Sequence, residues 1–329
     1  MAKSPILAAA FALAIGFAAP LAARAASAEA LGPPGRFVKP ACDRACLEDI
    51  ANRYMAALAA HNPGMAPLSD HVRFTENNVE LPIGEGLWGT NNGPASKVLI
   101  VADPKEGEVG WLSLVLEGTE QVFYAMRMKV EAGRITEVET IVNRESYGQP
   151  HGDPAKFNHE PMMTQALTPE QSRPRERLID IANGYFSTLQ LNDGTLYTEF
   201  DPKCSRFENG QGNAGYPDGK NDVFRMYCPD QFKLGYYHAN TRVRDRKYFL
   251  VDEERGIVMA RGFIDHAGVD RHVHLTDGRT ITNRSSPHTW SMLELFKIVD
   301  GKITRIEADF LAVPYYMPSP WNSPPRRFP

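Results

Sequence analysis

The sequence predicts an α+β fold in two tandem copies, each copy a helix followed by a run of short antiparallel strands. Three observations lead there. One stretch occurs twice, as LEDIANRYMAALAAHNPGMAPLSDHVRFTENN at 47–78 and LIDIANGYFSTLQLNDGTLYTEFDPKCSRFENG at 178–210. The order of later landmarks repeats too: Asp103 and Gly107 answer Asp252 and Gly256, and KVEAGRITEVE at 129–139 answers KIVDGKITRIE at 297–307. A period this long is outside the solenoid range and reads as a duplicated domain. Finally, 329 residues fit about two domains.

The elements follow in order. Leu47, Ile50, Ala51, Tyr54, Met55 and Leu58 recur at spacings of three and four, which predicts an amphipathic helix over 44–60. His61-Asn62-Pro63-Gly64 ends it. Val72–Glu76 alternates as a strand. A Gly/Pro/Asn loop over 81–96 holds Trp88. Strands are expected at 97–102, 109–116, 121–131 and 134–143, joined by tight turns, which favours antiparallel pairing. The first domain is thus 42–146, and the proline-containing stretch 147–174 is the linker. The second domain, 175–313, opens with a helix over 175–191 and continues through a Gly/Asn-rich loop at 208–222 and a short helical piece near 228–234. Strands then cover 242–251, 256–265, 271–276, 288–299 and 302–313. The tail, 314–329, is rich in proline and aromatics and should lie across a neighbouring surface.

Composition narrows the function. Hydrophobic content of 43% and charged content of 23% are ordinary for a globular protein. A net charge of -4 with no basic block argues against nucleic acid or an anionic membrane as partner. Lys3, an apolar run from Ile6 to Ala22 and the small residues Ala23–Ala28 have the order of a secretory signal, so residues 1–28 are set aside and a periplasmic or secreted location is expected. Four cysteines fit an oxidising compartment. Each half holds two, so Cys42–Cys46 and Cys204–Cys228 are the expected bridges; a C-x3-C metal or redox site lacks two further ligands nearby.

At this point the sequence resembles a known superfamily. Asn52-Arg53-Tyr54-Met55-Ala56-Ala57-Leu58, the strand Asp70…Phe74-Thr75-Glu76 and the closing G-[RK]-I-T motif are similar to the nuclear-transport-factor-2-like, SnoaL-like superfamily, and the R-Y-x-x-x-L segment to its ketosteroid isomerase branch. FTENN…GEGLWG and PYYMPSPW look like exported two-copy members of a largely uncharacterised branch. The resemblance implies that each half is a cone, a curved sheet packed on N-terminal helices. It leaves the activity open, because this fold carries many functions.

The resemblance implies site residues. A first-helix tyrosine that donates to a developing oxyanion matches Tyr54 and Tyr185. The branch's carboxylate base matches Glu76 in the first half and falls on Asn209 in the second. A protonated acid on a later strand matches Glu294 in the second half and Met126 or Arg127 in the first. Neither half carries the full set, so steroid isomerisation is not the expectation.

The residues themselves point to acid–base chemistry. A carboxylate in an apolar cavity has a raised pKa and works as an acid or base near neutrality, and a tyrosine hydroxyl beside it stabilises developing charge. Against this, Glu76 could cap a turn and Tyr54 could be plain core. The second half is richer in such groups: Tyr185, Asp265, His266 and Glu294, with His266 suited to proton transfer. His272 and His274 alternate on one strand face, and with Asp270 they suggest a metal site less readily than a solvated hairpin. Arg206, Arg242 and Arg244 are candidates to orient a ligand; Trp88, Trp290, Tyr236 and Tyr237 are candidates to line its pocket, although aromatics in a sheet are more often core. No phosphate loop, G-x-S-x-G or H-E-x-x-H occurs. Two classes remain: a cofactor-free lyase, dehydratase or isomerase acting on a small hydrophobic or aromatic molecule, and an exported binding or homodimerisation module.

Overall fold

The computed structural model describes residues 42–145, 151–219, 221–269, 272–282, 286–326 and 328. The signal-like stretch, part of the linker, Asp270 and the last residue of the tail lie outside them. The first half contains α1 (Arg44–Ala59), β1 (Leu68–Glu76), β2 (Val79–Leu81), α2 (Leu87–Thr90), β3 (Ser96–Asp103), β4 (Glu108–Glu117), β5 (Glu120–Glu131) and β6 (Arg134–Asn143). The second contains α3 (Arg175–Leu191), β7 (Phe200–Glu208), β8 (Gln211–Ala214), α4 (Asp222–Arg225), α5 (Cys228–Lys233), β9 (Arg242–Asp252), β10 (Ile257–His266), β11 (His272–His274), β12 (Thr280–Thr282), β13 (His288–Val299) and β14 (Lys302–Val313). The fold is α+β in two tandem units, as the repeat predicts.

Each half forms its own six-stranded sheet, with order β2-β1-β6-β5-β4-β3 and β8-β7-β14-β13-β10-β9. The four long strands of each half pair antiparallel, as their tight turns require. One pair in each sheet departs from the expected pattern: β1 lies parallel to β6 and β7 parallel to β14. The first strand follows the helix and enters the sheet beside the last strand, so a tight turn does not dictate its direction. The loop expected over 208–222 is also shorter than the Gly and Asn content suggests, because β8 forms inside it and α4 begins at its last residue.

Asp43 starts α1 by accepting from the Cys46 amide at 2.9 Å. The buried face of α1 carries Leu47, Ile50, Tyr54 and Leu58 onto the concave side of the first sheet, with Phe74, Trp111 and Met126. The buried face of α3 does the same with Leu178, Ile181, Tyr185 and Leu189 against Cys204, Val258 and Phe296. The outer faces of the two sheets meet each other through Leu99, Val101 and Leu112 from one half and Leu250, Met259, Leu293 and Leu295 from the other. A Cβ on Gly110 would lie 2.6 Å from the Met259 sulfur, so a larger residue there would make Met259 shift.

The contact between halves is reciprocal. Asp103 accepts from the Val251 amide at 2.9 Å and from Arg175, which leads α3, at 2.5 Å. Its repeat partner Asp252 accepts from the Ala102 amide at 3.4 Å and from Arg44, which leads α1, at 2.5 Å. Arg127, Glu139 and Arg261 form a buried charge network across the same contact, with Arg261 3.0 Å from Glu139. Such a network fixes which faces meet more than it adds stability. The linker also packs: Phe157 and Met163 are buried. In the tail, Trp321 stacks on the guanidinium groups of Arg73 and Arg127, at 4.6 and 4.7 Å.

Both expected disulfides are present, Cys42–Cys46 with Cα atoms 5.2 Å apart and Cys204–Cys228 with Cα atoms 5.3 Å apart. Two disulfides fit an oxidising compartment.

Candidate active site

The second half holds a cavity of about 270 Å3 between α3 and the concave face of its sheet. Apolar walls come from Leu189, Ile264, Met292 and Phe310, with Phe224 and Trp290 as flat aromatic faces. Tyr185, Arg206, Glu208 and His266 bring polar groups to it. Strand periodicity explains the set: every second residue of β7 and of β10 faces inward.

Arg206 is buried and organises one end. It donates to the Tyr185 hydroxyl at 3.3 Å, to Gln231 at 3.0 Å and to the Tyr237 hydroxyl. Its Nε lies 3.3 Å from Glu208. The Cys204–Cys228 bridge ties β7 to α5, which carries Gln231 to this point. Glu208 accepts on its other oxygen from the Asn213 side chain. Glu294 lies next to this cluster on the concave face of β13, between Met292 and Phe296. Burial, and then the charge of Glu208, push its carboxyl up to about 8. The Tyr185 hydroxyl draws it back in part, yet neither oxygen of Glu294 has a hydrogen-bond partner of standard geometry among the described residues. Burial therefore favours the neutral carboxylic acid form of Glu294. Burial also raises the Tyr185 hydroxyl far above the ordinary tyrosine range, so it remains a donor.

Several expected residues fall elsewhere. Asp265 and His266 are neighbours on β10, and strand alternation sends them to opposite faces, so they cannot act as an acid–base pair in the cavity. Asp265 lies on the outer face, where Arg244 at 3.0 Å, Arg242 at 2.9 Å and Thr289 at 2.6 Å bind it. Arg242 is likewise outside the cavity, over the Tyr316 ring at 4.6 Å. His266 does line the cavity, but burial and the neighbouring His288 push its imidazole down to about 4. It is uncharged at neutral pH, contrary to the expected proton shuttle. Trp290 and Tyr237 stand in the cavity wall. His272 and His274 are exposed, and no group of three or more metal-type ligands occurs among the described residues.

Asn209 is the most instructive displacement. It sits in a turn at φ 47° and clamps β14, accepting from the Phe310 amide at 2.8 Å and donating to its carbonyl at 2.9 Å. Asn77 makes the same pair of bonds to Val142, at 2.8 and 3.1 Å. Asn77 and Asn209 are therefore equivalents, and so are Glu76 and Glu208. Sheet register agrees. Phe74 pairs with Val138 and Arg206 with Ile306, each five residues past the glycine of its closing motif. The matching of Arg73-Phe74 to Arg206-Phe207 in the sequence was one residue out. A slip of one turns a strand inside out. The second half has its carboxylate after all.

In the first half the same positions are closed. The Trp88 indole donates to Tyr54 at 3.1 Å and packs edge-on to its ring at 5.2 Å. Glu76 accepts from the Leu87 amide at 2.7 Å and from Arg144 at 2.9 Å. Met126 stands where Glu294 stands in the second half, three residues before the matching lysine. Tyr54, Glu76 and Trp88 thus lie together in a packed core.

Comparison with known proteins adds little to this geometry. Residues 171–310 match a family described as a domain of unknown function (DUF8021). No curated protein matches the chain. Among solved structures, the chain is similar to an NTF2-like protein of unknown function from Cytophaga hutchinsonii, at 12% identity over 31% of this chain and 94% of that one, with a TM-score of 0.27. It is also similar to a "putative ketosteroid isomerase" from Kribbella flavida, at 14% identity over 36% of this chain and 91% of that one, with a TM-score of 0.27. A third is a "putative isomerase" from Bacillus subtilis, at 16% identity over 41% and 86%, with a TM-score of 0.28.

Proposed function

We propose that the second half is an NTF2-like cone with enzymatic activity, a cofactor-free acid–base catalyst of the lyase, dehydratase or isomerase type. The observation that carries this reading is the meeting of a carboxylate, Glu208, and a buried carboxylic acid, Glu294, around one tyrosine beside an apolar cavity. Titratable groups in unlike environments are what acid–base catalysis needs. Glu208 faces the cavity and takes a proton from carbon next to a carbonyl. Arg206 and Asn213 hold it in place. The Tyr185 hydroxyl, held from behind by Arg206, donates to the oxygen where negative charge develops. Glu294 does not line the cavity; it stands behind Tyr185 as a neutral acid and keeps a second negative charge away from that oxygen. With Arg206 and Glu208 offsetting one another, the cavity suits an uncharged, hydrophobic or aromatic substrate. Export to the periplasm or beyond belongs to the same proposal, supported by the two disulfides.

The test is proton exchange at carbon. The purified protein is incubated in deuterated water with small cyclic and aryl ketones, and exchange next to the carbonyl is followed by NMR. Exchange that Glu208→Gln abolishes supports the reading. Saturable binding of those ketones without exchange would instead make the second half a binding module.

A further inference from the structure

The halves differ in the connection that follows β10. In the first half, the equivalent strands β4 and β5 are joined by Gly118 and Thr119 alone. In the second half, the connection to β13 runs over 267–287 and contains the β11–β12 hairpin. This hairpin folds back onto the protein. Val273 and Leu275 are buried. The Thr276 amide donates to the Leu234 carbonyl at 3.0 Å and its hydroxyl to the Lys233 carbonyl at 2.6 Å. Arg279 pairs with Asp222 at 2.5 Å.

Under the hairpin lies a second cavity of about 250 Å3, walled by Tyr236, Ala239, Val273, Ile281 and Thr282. Three more wall residues, Tyr237, Asn240 and His266, also line the first cavity. They form a shared partition, and they are not held alike. Tyr237 is fixed by Arg206 and by Gln231 at 3.1 Å. Asn240 donates to the Leu189 carbonyl at 3.3 Å. The His266 ring stacks on His288 at 4.7 Å and has no hydrogen bond among the described residues. His266 is thus the part of the partition that can turn without breaking a hydrogen bond, and as a neutral ring it can do so inside the protein.

We propose that the two cavities are chambers of one site, and that its ligand is an elongated, uncharged amphipathic molecule. Its oxygen-bearing head lies at Tyr185 and Glu208, and its apolar tail passes His266 to end beneath the hairpin. This rests on the reading of the first chamber as the reactive one. Size supports it: the first chamber, at about 270 Å3, falls just short of the roughly 300–1,000 Å3 of ligand sites, and the two chambers together fall inside that range. The chemistry of the walls supports it too, since the charged side chains Arg206 and Glu208 line the first chamber, while the described walls of the second hold no Asp, Glu, Lys or Arg side chain.

The experiment is a calorimetric binding series with straight-chain methyl ketones from butanone to undecan-2-one. Once the chain reaches the second chamber, each added methylene should tighten binding about fourfold. Ile281→Trp fills that chamber and should flatten the series, and Ala239→Phe should do so from the opposite wall if the first variant melts early. A series that stays flat in the wild-type protein, a slope that survives both substitutions, or no binding of any ketone overturns the proposal. Binding is read without turnover, so the two readings fail separately. A steep series with no carbon–hydrogen exchange keeps the two chambers and removes only the catalytic reading. Exchange on short ketones with a flat series does the reverse.

Discussion

In the first half an indole lies against the helix tyrosine; in the second a guanidinium does. Trp88 donates to Tyr54, whereas Arg206 donates to Tyr185. The substitutions around each tyrosine run in one direction. Phe74 is answered by Arg206, and Met126 by Glu294. Glu76 and Glu208 are equivalent carboxylates; Glu208 lines the cavity of the second half, and Glu76 is tied down by the Leu87 amide and Arg144. The interior of the first half is thus filled by apolar packing around Tyr54, whereas in the second half Arg206 binds Tyr185, Gln231 and Tyr237 beside a cavity. The duplicated frame holds one solution of each kind, pressed together through their outer faces. This is consistent with one copy carrying the chemistry and the other completing the support of its sheet.

The sharpest way to break the comparison is to remove the two equivalent carboxylates separately. Glu208→Gln should lower kcat for carbon–hydrogen exchange by 10²-fold or more, the usual scale for a lost acid–base group. Glu76→Gln should leave kcat within about threefold, because Glu76 is held by the Leu87 amide and Arg144. Equal losses in the two variants, read from initial rates, would place both cones in catalysis.

Filling is tested by Trp88→Ala. The side chain is 1% exposed, so truncation should destabilise the protein by about 3–5 kcal/mol in denaturant unfolding. Free indole should restore part of the loss, since an apolar cavity of the right shape binds what it lacks. Loss of stability without indole rescue would mean that the first cone collapses around the gap and is not an occluded copy of the second.

How far this contrast was legible in the sequence depended on the length of the signal. The helices were plain, since α3 spans the 175–191 that periodicity gives and α1 ends one residue before the expected 60. Tyr185 and Glu294 were named through the resemblance to the isomerase branch, and the pairing of cysteines within halves followed from the repeat. What failed was register at a single strand. The dipeptide Arg-Phe occurs in both copies, but Arg73 faces outward to Glu80 and Trp321, and Arg206 faces the cavity. A signal did exist: Glu-Asn occurs at 76–77 and at 208–209, and aligning those pairs would have found Glu208. Asp265 and His266 failed for a related reason, because adjacent strand residues cannot share a face. The depressed basicity of His266 was not legible at all, since it comes from burial and from His288, which is distant in sequence.

A smaller effect concerns protonation. The Glu294 carboxyl is raised to about 8 in the folded protein, while in the unfolded chain it titrates near the ordinary glutamate value of about 4.3. Between those values the unfolded chain has released its proton and the folded protein has kept it, so stability is full at low pH and falls as pH rises. Glu294→Gln removes that slope. The variant should gain on the wild-type protein from about pH 4.5 to about pH 8, by at most ~1.4 kcal/mol per pH unit. Asp309 is also raised to about 8, but it is present in both proteins and cancels in the difference. A constant difference across that range would show that Glu294 is ionised in the folded state.

The mildest test concerns the tail, which follows the second half and covers the first. Trp321 stacks on Arg73 and Arg127, and the Pro320 carbonyl accepts from Arg73 at 2.8 Å. Arg127 in turn binds Glu139, which Arg261 of the second half also binds. The tail therefore closes a path of contacts from the outer edge of the first sheet to the contact between halves. Each partly exposed cation–π contact contributes about 0.5–1 kcal/mol, so Trp321→Ala should cost about 1–2 kcal/mol. Because the ring touches first-half residues, amide exchange should rise in β1 and β5 and stay unchanged in α3 and β10. Protection lost evenly over both halves would mean that they unfold as one unit, and that the open cone depends on the filled one even for its basic stability.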